Sequence, residues 1–227
     1  MSLKKIAVAI DGPAGAGKSS ISKVVANQLD YLYIDTGAMY RAVTWAVLHE
    51  HIDVHNQQAV EQLLPSLNLS MEPTETACKV FIGGENITDF IRQPKINDNV
   101  SIIASYKAVR QYLVERQRAM AAVGGVILGG RDIGSVVLPK AELKIYLTAS
   151  VETRAKRRWL EVQGTPNELP LEDIIASVTE RDEMDKNRKE SPLVQVPDAV
   201  LVDSSDMTFD ETVAHILSLV EARTNYE

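Results

Sequence analysis

Apolar residues fall along this chain in two rhythms. Short continuous runs, Ile6–Ile10, Tyr31–Ile34, Val126–Leu128, Leu143–Leu147 and Ala199–Val202, predict five buried strands. Between them, helical spacing predicts helices over Lys18–Leu29, from Ala38 onward with Met39, Val43, Val47 and Leu48 inward, over Ser105–Val123, Val151–Gln163, Leu171 to about Lys189, and Phe209–Ala222. Strands buried on both faces and alternating with helices specify a parallel sheet covered on both sides. The rhythm loosens from Asn56 to Asn99. A short helical piece ends near Pro65, Leu67–Met71 and Lys79–Ile82 alternate as strands, and Gly83-Gly84-Glu85-Asn86 marks a turn, so a small β-rich insertion is expected. Gly164-Thr165-Pro166-Asn167-Glu168-Leu169-Pro170 breaks the pattern between two helices, as a hinged flap would.

Composition narrows the class. With 227 residues, 45% of them hydrophobic and 24% charged, the chain can bury a full core, and one globular unit with mobile insertions is expected rather than two domains. The net charge of −7 sets a nucleic-acid surface against the overall field, whereas small anions need only local basic pockets. The uncharged stretch Met120–Gly130 is well short of the roughly 18 apolar residues of a membrane span. The start, Met1 to Lys5, runs straight into the first strand and is too short for a secretory leader; the expectation is a cytoplasmic monomer without nucleic-acid or membrane partners. The single Cys78 allows no internal disulfide and reads as packing.

Candidate chemistry begins where the first strand meets the first helix. Gly12-Pro13-Ala14-Gly15-Ala16-Gly17-Lys18-Ser19 fits G-x-x-x-x-G-K-[ST], in which backbone N–H groups cradle phosphates, the lysine reaches the transferring end and the hydroxyl faces Mg²⁺. Three further clusters lie downstream. Asp35-Thr36-Gly37-Ala38-Met39-Tyr40-Arg41 and Gly129-Gly130-Arg131-Asp132-Ile133-Gly134-Ser135 each follow a strand, on the edge where open α/β sheets bind ligands. For Arg41 alone the alternative is a surface side chain; Arg131 and Asp132, adjacent between glycines, address something other than each other, with a local loop ion pair as the alternative. In the third cluster Ile174, Val178, Arg181, Asp185 and Arg188 follow one another at helical steps, so one face turns from apolar to charged and lines a polar cleft, its charged half facing water. Arg154, Arg157 and Arg158 follow the fourth strand, some of them on a solvated face. Such an arginine array suits phosphoryl transfer, which is largely positioning and charge neutralisation. His49, His51, His55 and His215 lie outside every cluster, so no general base is evident; an acceptor that is itself a phosphate needs little base catalysis. A kinase for another acceptor shares this loop. A nucleotide switch or motor is disfavoured by the absence of an Asp-Glu-ended strand and of an Asn-Lys-x-Asp motif.

Taken together, Gly12–Ser19, Asp35–Arg41, Gly130–Gly134, Arg154–Arg158 and Glu180-Arg181-Asp182 through Arg188 resemble bacterial cytidylate kinases over essentially the whole chain. The resemblance implies a P-loop NTPase three-layer α/β fold with a five-stranded parallel sheet: core at about 1–60, 103–150 and 190–227, an NMP-binding insertion at about 61–102 and a helical lid at about 151–189. It implies phosphorylation of CMP or dCMP by ATP and Mg²⁺. Gly12, Pro13, Ala14, Gly15, Ala16, Gly17, Lys18, Ser19 and Ser20 would hold the nucleotide, Ser19 the metal, and Arg154, Arg157 and Arg158 would close over ATP. Thr36, Arg41, Arg131 and Arg188 would bind the acceptor phosphate, Ser101, Arg110 and Asp132 the cytosine, and Arg181 with Asp185 the sugar; Lys18, Arg131, Asp185 and Arg188 would be catalytic. Gly129 departs from the pattern, since family members often carry Asp there, and Ser135 stands where Thr is common.

Overall fold

The structure is a computed structural model and describes residues 5–74, 78–122, 124–165 and 168–224. Met1 to Lys4, Val123 at the expected helix end, and Pro166 and Asn167 of the expected flap lie outside the described residues.

Five parallel strands, β1 (Ala7–Asp11), β2 (Leu32–Asp35), the strand Val126–Gly130, the strand Leu143–Thr148 and the strand Val200–Asp203, form one sheet. The insertion contributes β3 (Leu69–Pro73), β4 (Cys78–Ile82) and β5 (Glu85–Asn86) as an antiparallel three-stranded sheet, so the remaining core strands are β6, β7 and β8 in chain order. The large sheet runs β2-β6-β1-β7-β8, which puts β1 at its centre. Alternation along β1 sorts the core. Val8 and Ile10 join Val25, Ile127, Ile145 and Ile216 under helices α1 (Lys18–Leu29) and Phe209–Thr224. Ala9, on the opposite face, joins Ile34, Val43, Leu128 and Leu113 under α2 (Thr36–His49) and the helices that follow it.

Register sets the functional edge. Asp11 pairs across from Gly130 and Asp35 from Gly129, so β1, β2 and β6 end together. A carboxylate therefore stands at the end of each of two strands, beside the glycines ending the third.

The insertion region is more helical than its sequence pattern indicates. Besides α3 (Gln57–Leu63) it includes α4 (Pro94–Ser105), whose Val100 and Ile103 belong to the main core. The small sheet packs instead on the outer side of α2, through Ala38, Ala42, Val80, Ile87 and Ile91. The expected continuous helix from Ser105 is interrupted: Tyr106 is extended and its hydroxyl donates to the Val54 carbonyl at 2.7 Å, and α5 (Lys107–Ala121) starts afresh. A residue 52 positions away thus terminates α4. Helices α6 (Val151–Val162) and α7 (Leu171–Asn187) pack on each other through a separate apolar cluster of Ala155, Val162, Ile174 and Val178. The last helix, Phe209–Thr224, is α8. Among the described residues no helix is long and apolar enough to cross a membrane.

Candidate active site

The phosphate loop between β1 and α1 is dictated by close backbone approach. A Cβ on Gly12 would fall 1.9 Å from the Leu147 carbonyl oxygen of β7, and Gly17, which opens α1, has φ +83°, a left-handed value that a side chain would strain. The start of α1 has N–H groups without partners inside the helix, which suit an anion. Lys18 is buried, with Nζ donating to the Gly12 and Pro13 carbonyls at 2.7 Å each. Burial pushes its pKa well below the usual lysine range and Arg131 adds to the effect, against the pull of Asp11 and Asp185. Ser19 Oγ lies 3.4 Å from Asp35 Oδ2; Ser20 is exposed.

Asp35 is a junction. One carboxylate oxygen caps α2 by accepting from the Ala38 N–H at 3.0 Å, and the other accepts from Arg41 Nη2 at 3.2 Å beside the Ser19 hydroxyl. Burial raises this carboxyl, but Arg41 and the Ala38 N–H outweigh it and hold the group below its ordinary range. Arg41 is accordingly an ion-paired side chain. Thr36, also buried, donates its hydroxyl to the Gly129 carbonyl at 2.8 Å, tying α2 to β6.

For a divalent cation, Ser19 and Asp35 provide the oxygen donors. Gly129 brings none. Its missing Cβ would lie 3.2 Å from the Tyr33 hydroxyl, which is buried and has no aligned hydrogen-bond partner, although Ser19 is beside it. A Cβ at that distance is tighter than ordinary van der Waals contact, so an acid at this position would require the Tyr33 ring to shift. The residues fit a metal held through Ser19, with Asp35 as the nearest acid.

The second half of the site is a buried network of side chains. Arg131 and Asp132 do not pair with each other. Arg131 Nε donates to Asp185 Oδ2 at 2.7 Å, and Asp132 pairs with Arg110, which also donates to the Ala104 carbonyl at 3.0 Å and lies over the Tyr40 ring at 5.4 Å. Arg188 links the two carboxylates at 3.8 Å from Asp132 and 3.9 Å from Asp185. It does so from beyond α7: the residue is extended, its Nε donates to the Ser191 carbonyl at 2.7 Å, and the stripe expected on one helix face is completed by a turn. Asp185 is 6% exposed, so the charged half of that stripe is not open to water. Burial raises its pKa, and Arg131, Arg181 and Arg188 together more than reverse the shift. Arg181 is lowered to about 10 by burial and by Arg131. Ser101 stands half-buried on α4, which packs against α2 and α7.

Donor capacity is left over here. Arg41 Nε, Arg110 Nε, Arg181 Nε and Arg188 Nη2 are buried and donate no hydrogen bond among the described residues. Buried guanidinium N–H groups without acceptors are costly unless a ligand supplies them.

The α6 arginines are placed otherwise. Arg154 is 3% exposed and fully engaged: Nε donates to the Ala149 carbonyl and Nη1 to the Ala14 carbonyl, each at 2.9 Å, and Nη2 meets Asp182 at 2.7 Å. It buttresses the phosphate loop from behind. Arg157 donates to Ser204, and Arg158 pairs with Glu161 on the surface.

Sequence reasoning passed over Asp11, Asp182 and the hydroxyls of Tyr33 and Tyr40. For Asp11 a signal existed: an acid ending an otherwise apolar strand. Its carboxylate accepts from the Ile133 and Gly134 N–H groups at 2.8 and 2.7 Å, and burial pushes its pKa up to about 6 against those two bonds. For Asp182 the sign was faint, since its partner Arg154 lies on another helix.

The chain is similar to known proteins over nearly its whole length. The profile of the cytidylate kinase family matches residues 8–222. Cytidylate kinase of Ligilactobacillus salivarius is 48% identical over 98% of this chain and 100% of that protein, and cytidylate kinase of Lactiplantibacillus plantarum is 47% identical over 97% and 96%. Among solved structures, an uncharacterized protein from Eubacterium ventriosum shares the fold at TM-score 0.53 and 12% identity, covering 96% of this chain and 99% of that one. With its central phosphate loop, its buried arginine network and full-length relatives at this identity, the chain belongs to the cytidylate kinase family.

Proposed function

We propose that this protein transfers the γ-phosphoryl group of ATP to CMP or dCMP, giving ADP and CDP or dCDP. The observation that carries the reading is the set of four buried guanidinium nitrogens without acceptors, next to a glycine-rich phosphate loop. In an in-line transfer an oxygen of the acceptor phosphate bonds to the γ-phosphorus as the bond to the β,γ-bridging oxygen breaks, and ADP leaves with those electrons. Lys18 moves from the Gly12 and Pro13 carbonyls to the phosphates. Arg41, Arg131 and Arg188 hold the acceptor phosphate and neutralise charge that would otherwise repel the two nucleotides. Asp132 accepts from the exocyclic amine of cytosine while Arg110 donates to the ring. Asp185 and Arg181 take the sugar, and Ser101 the base edge. The Ser19 hydroxyl, with Asp35 behind it, would hold Mg²⁺, which spreads phosphate charge when bound.

A coupled ADP-release assay over CMP, dCMP, UMP, AMP, GMP and small alcohols tests this. CMP and dCMP should lead. Uracil sets a carbonyl against Asp132, a mismatch of roughly 1–3 kcal/mol, so UMP should trail by about ten- to a hundredfold. AMP or GMP as best acceptor would remove the cytosine assignment, and ADP release needing no acceptor would remove the kinase.

A further inference from the structure

Asp11 is the last residue of β1 and immediately precedes the phosphate loop. Its side chain faces the other substrate's half of the site. One oxygen accepts from the Ile133 N–H at 2.8 Å and the other from the Gly134 N–H at 2.7 Å. These are the two N–H groups directly after Arg131 and Asp132, at the start of a π turn over Ile133–Val137. The first donors of a helical turn have no partner within it. Here the cap comes from a residue more than a hundred positions earlier, made a neighbour by the Asp11–Gly130 strand register. The fit is close: a Cβ on Gly134 would come within 3.3 Å of Asp11 Oδ2 and 3.2 Å of Lys144 Cδ. The neighbouring Lys144 directs its Nζ to Asp198, at 2.7 Å.

With both oxygens engaged by backbone and the residue 6% exposed, Asp11 is closed to substrate and is not an acid or base in the reaction. We propose that Asp11 is a positioning residue for acceptor selectivity: from the donor strand it clamps the turn that aims Arg131 and Asp132, so the geometry of base recognition is set by the strand that carries the phosphate loop. This inference rests on the proposed function.

Asp11→Asn tests it. The amide keeps one acceptor and turns an NH₂ group against the other N–H, which releases one end of the clamp. KM for CMP should rise roughly tenfold and the ratio of kcat/KM for CMP over UMP should fall by about fivefold or more, because a loosened Asp132 discriminates less. Asp11→Asn also removes a negative charge that acts on Lys18, so donor binding is read in Gly134→Ala, where KM for ATP and the affinity for a fluorescent ATP analogue should stay within about twofold of wild type. Gly134→Ala, which crowds the same clamp without touching Asp11, should change the same ratio in the same direction to a lesser degree. A residue that merely stabilises the fold would lower all rates alike and leave the ratio alone. Unchanged CMP:UMP selectivity in both variants, or equal losses in CMP and ATP binding in Gly134→Ala, would overturn the inference. If Asp11→Asn does not fold, the ratio in Gly134→Ala decides by the same criterion. Wild-type protein inactive on CMP overturns the proposed function itself and this inference with it, a result visible before any variant is made.

Discussion

The two halves of this site are built from different materials. The donor half is a single stretch, Gly12 to Ser19, in which the main chain supplies the N–H groups and glycines provide the room: Gly12 presses on the Leu147 carbonyl, and Gly17 turns left-handed into α1. The acceptor half has almost no local construction. Arg110 comes from α5, Arg131 and Asp132 from the turn after β6, Asp185 from α7 and Arg188 from beyond it, and each is held by another. A backbone cradle is stable without its ligand because its groups belong to the fold. A cluster of buried charges is stable only as a cluster, since removing one member strands its partners in a medium of low dielectric. Function and stability should therefore be separable in the donor half and inseparable in the acceptor half.

The largest effect expected is on the donor side. Lys18→Ala should lower kcat by about a thousandfold or more, some 4 kcal/mol of barrier, while the thermal midpoint moves little because the lysine is buried at a cost of its own. A thermal unfolding curve beside a turnover measurement checks both halves of the statement. On the acceptor side, Asp185→Ala leaves Arg131 unopposed next to Arg181 and Arg188 with Asp132 alone, and should cost about 3–5 kcal/mol of stability along with a ten- to hundredfold fall in kcat/KM for CMP. Urea unfolding that matched wild type would mean the network is solvated after all and the contrast between the halves false.

A pH series sharpens the contrast at the seam between them. Because Asp11 is raised to about 6 from an ordinary 3.8, the folded state binds more protons than the unfolded one between those values, so this group's contribution makes stability fall as pH rises from about 4 to about 6. Asp35 and Asp185, both lowered, act in the opposite sense: their contribution is present above the ordinary carboxylate range and lost as pH falls below it. Unfolding free energies at pH 4.5 and 7 should then differ between wild type and Asp11→Asn by roughly 1–3 kcal/mol, with wild type losing more on the alkaline side. Parallel profiles would contradict the assignment. The smallest effect concerns the metal. Gly129→Asp gives the cation an acid at the end of β6 but crowds the Tyr33 hydroxyl, and should shift the Mg²⁺ midpoint downward by a few-fold, about 1 kcal/mol, with the gain larger in Tyr33→Phe/Gly129→Asp, which removes the atom the new Cβ meets at 3.2 Å. A large loss of activity with normal unfolding would show that the cradle around Tyr33 has no room for the carboxylate.

Much of this architecture is legible in the amino-acid sequence. The strands β1, β2, β6 and β7 could be read from their apolar runs because a largely buried strand has little else to show, and β8 from the same signal although Leu201 is exposed at the sheet edge. The phosphate loop could be read because all its parts are contiguous, and Arg41 and Arg131 could be placed on the binding edge because each follows a strand of a parallel sheet. The helices were harder where tertiary contacts set their ends: the bond from Tyr106 to Val54 divides α4 from α5, and Arg188 leaves α7 to meet Ser191.

What the amino-acid sequence determined by itself was whatever lies within a few residues along the chain: periodicity, the glycine cradle, and the presence of more arginines at the sheet edge than a surface requires. What only the tertiary structure decided was which charges meet. That Arg154 grips the Ala14 carbonyl and Asp182, that Asp185 takes Arg131 while Asp132 takes Arg110, and that Asp11 caps a turn at Ile133 all depend on β6 and β7 flanking β1 in space. Opposite charges attract without regard to sequence separation, and a guanidinium has the same chemistry whether it awaits a phosphate or supports a loop. Its neighbours in the folded state make the distinction.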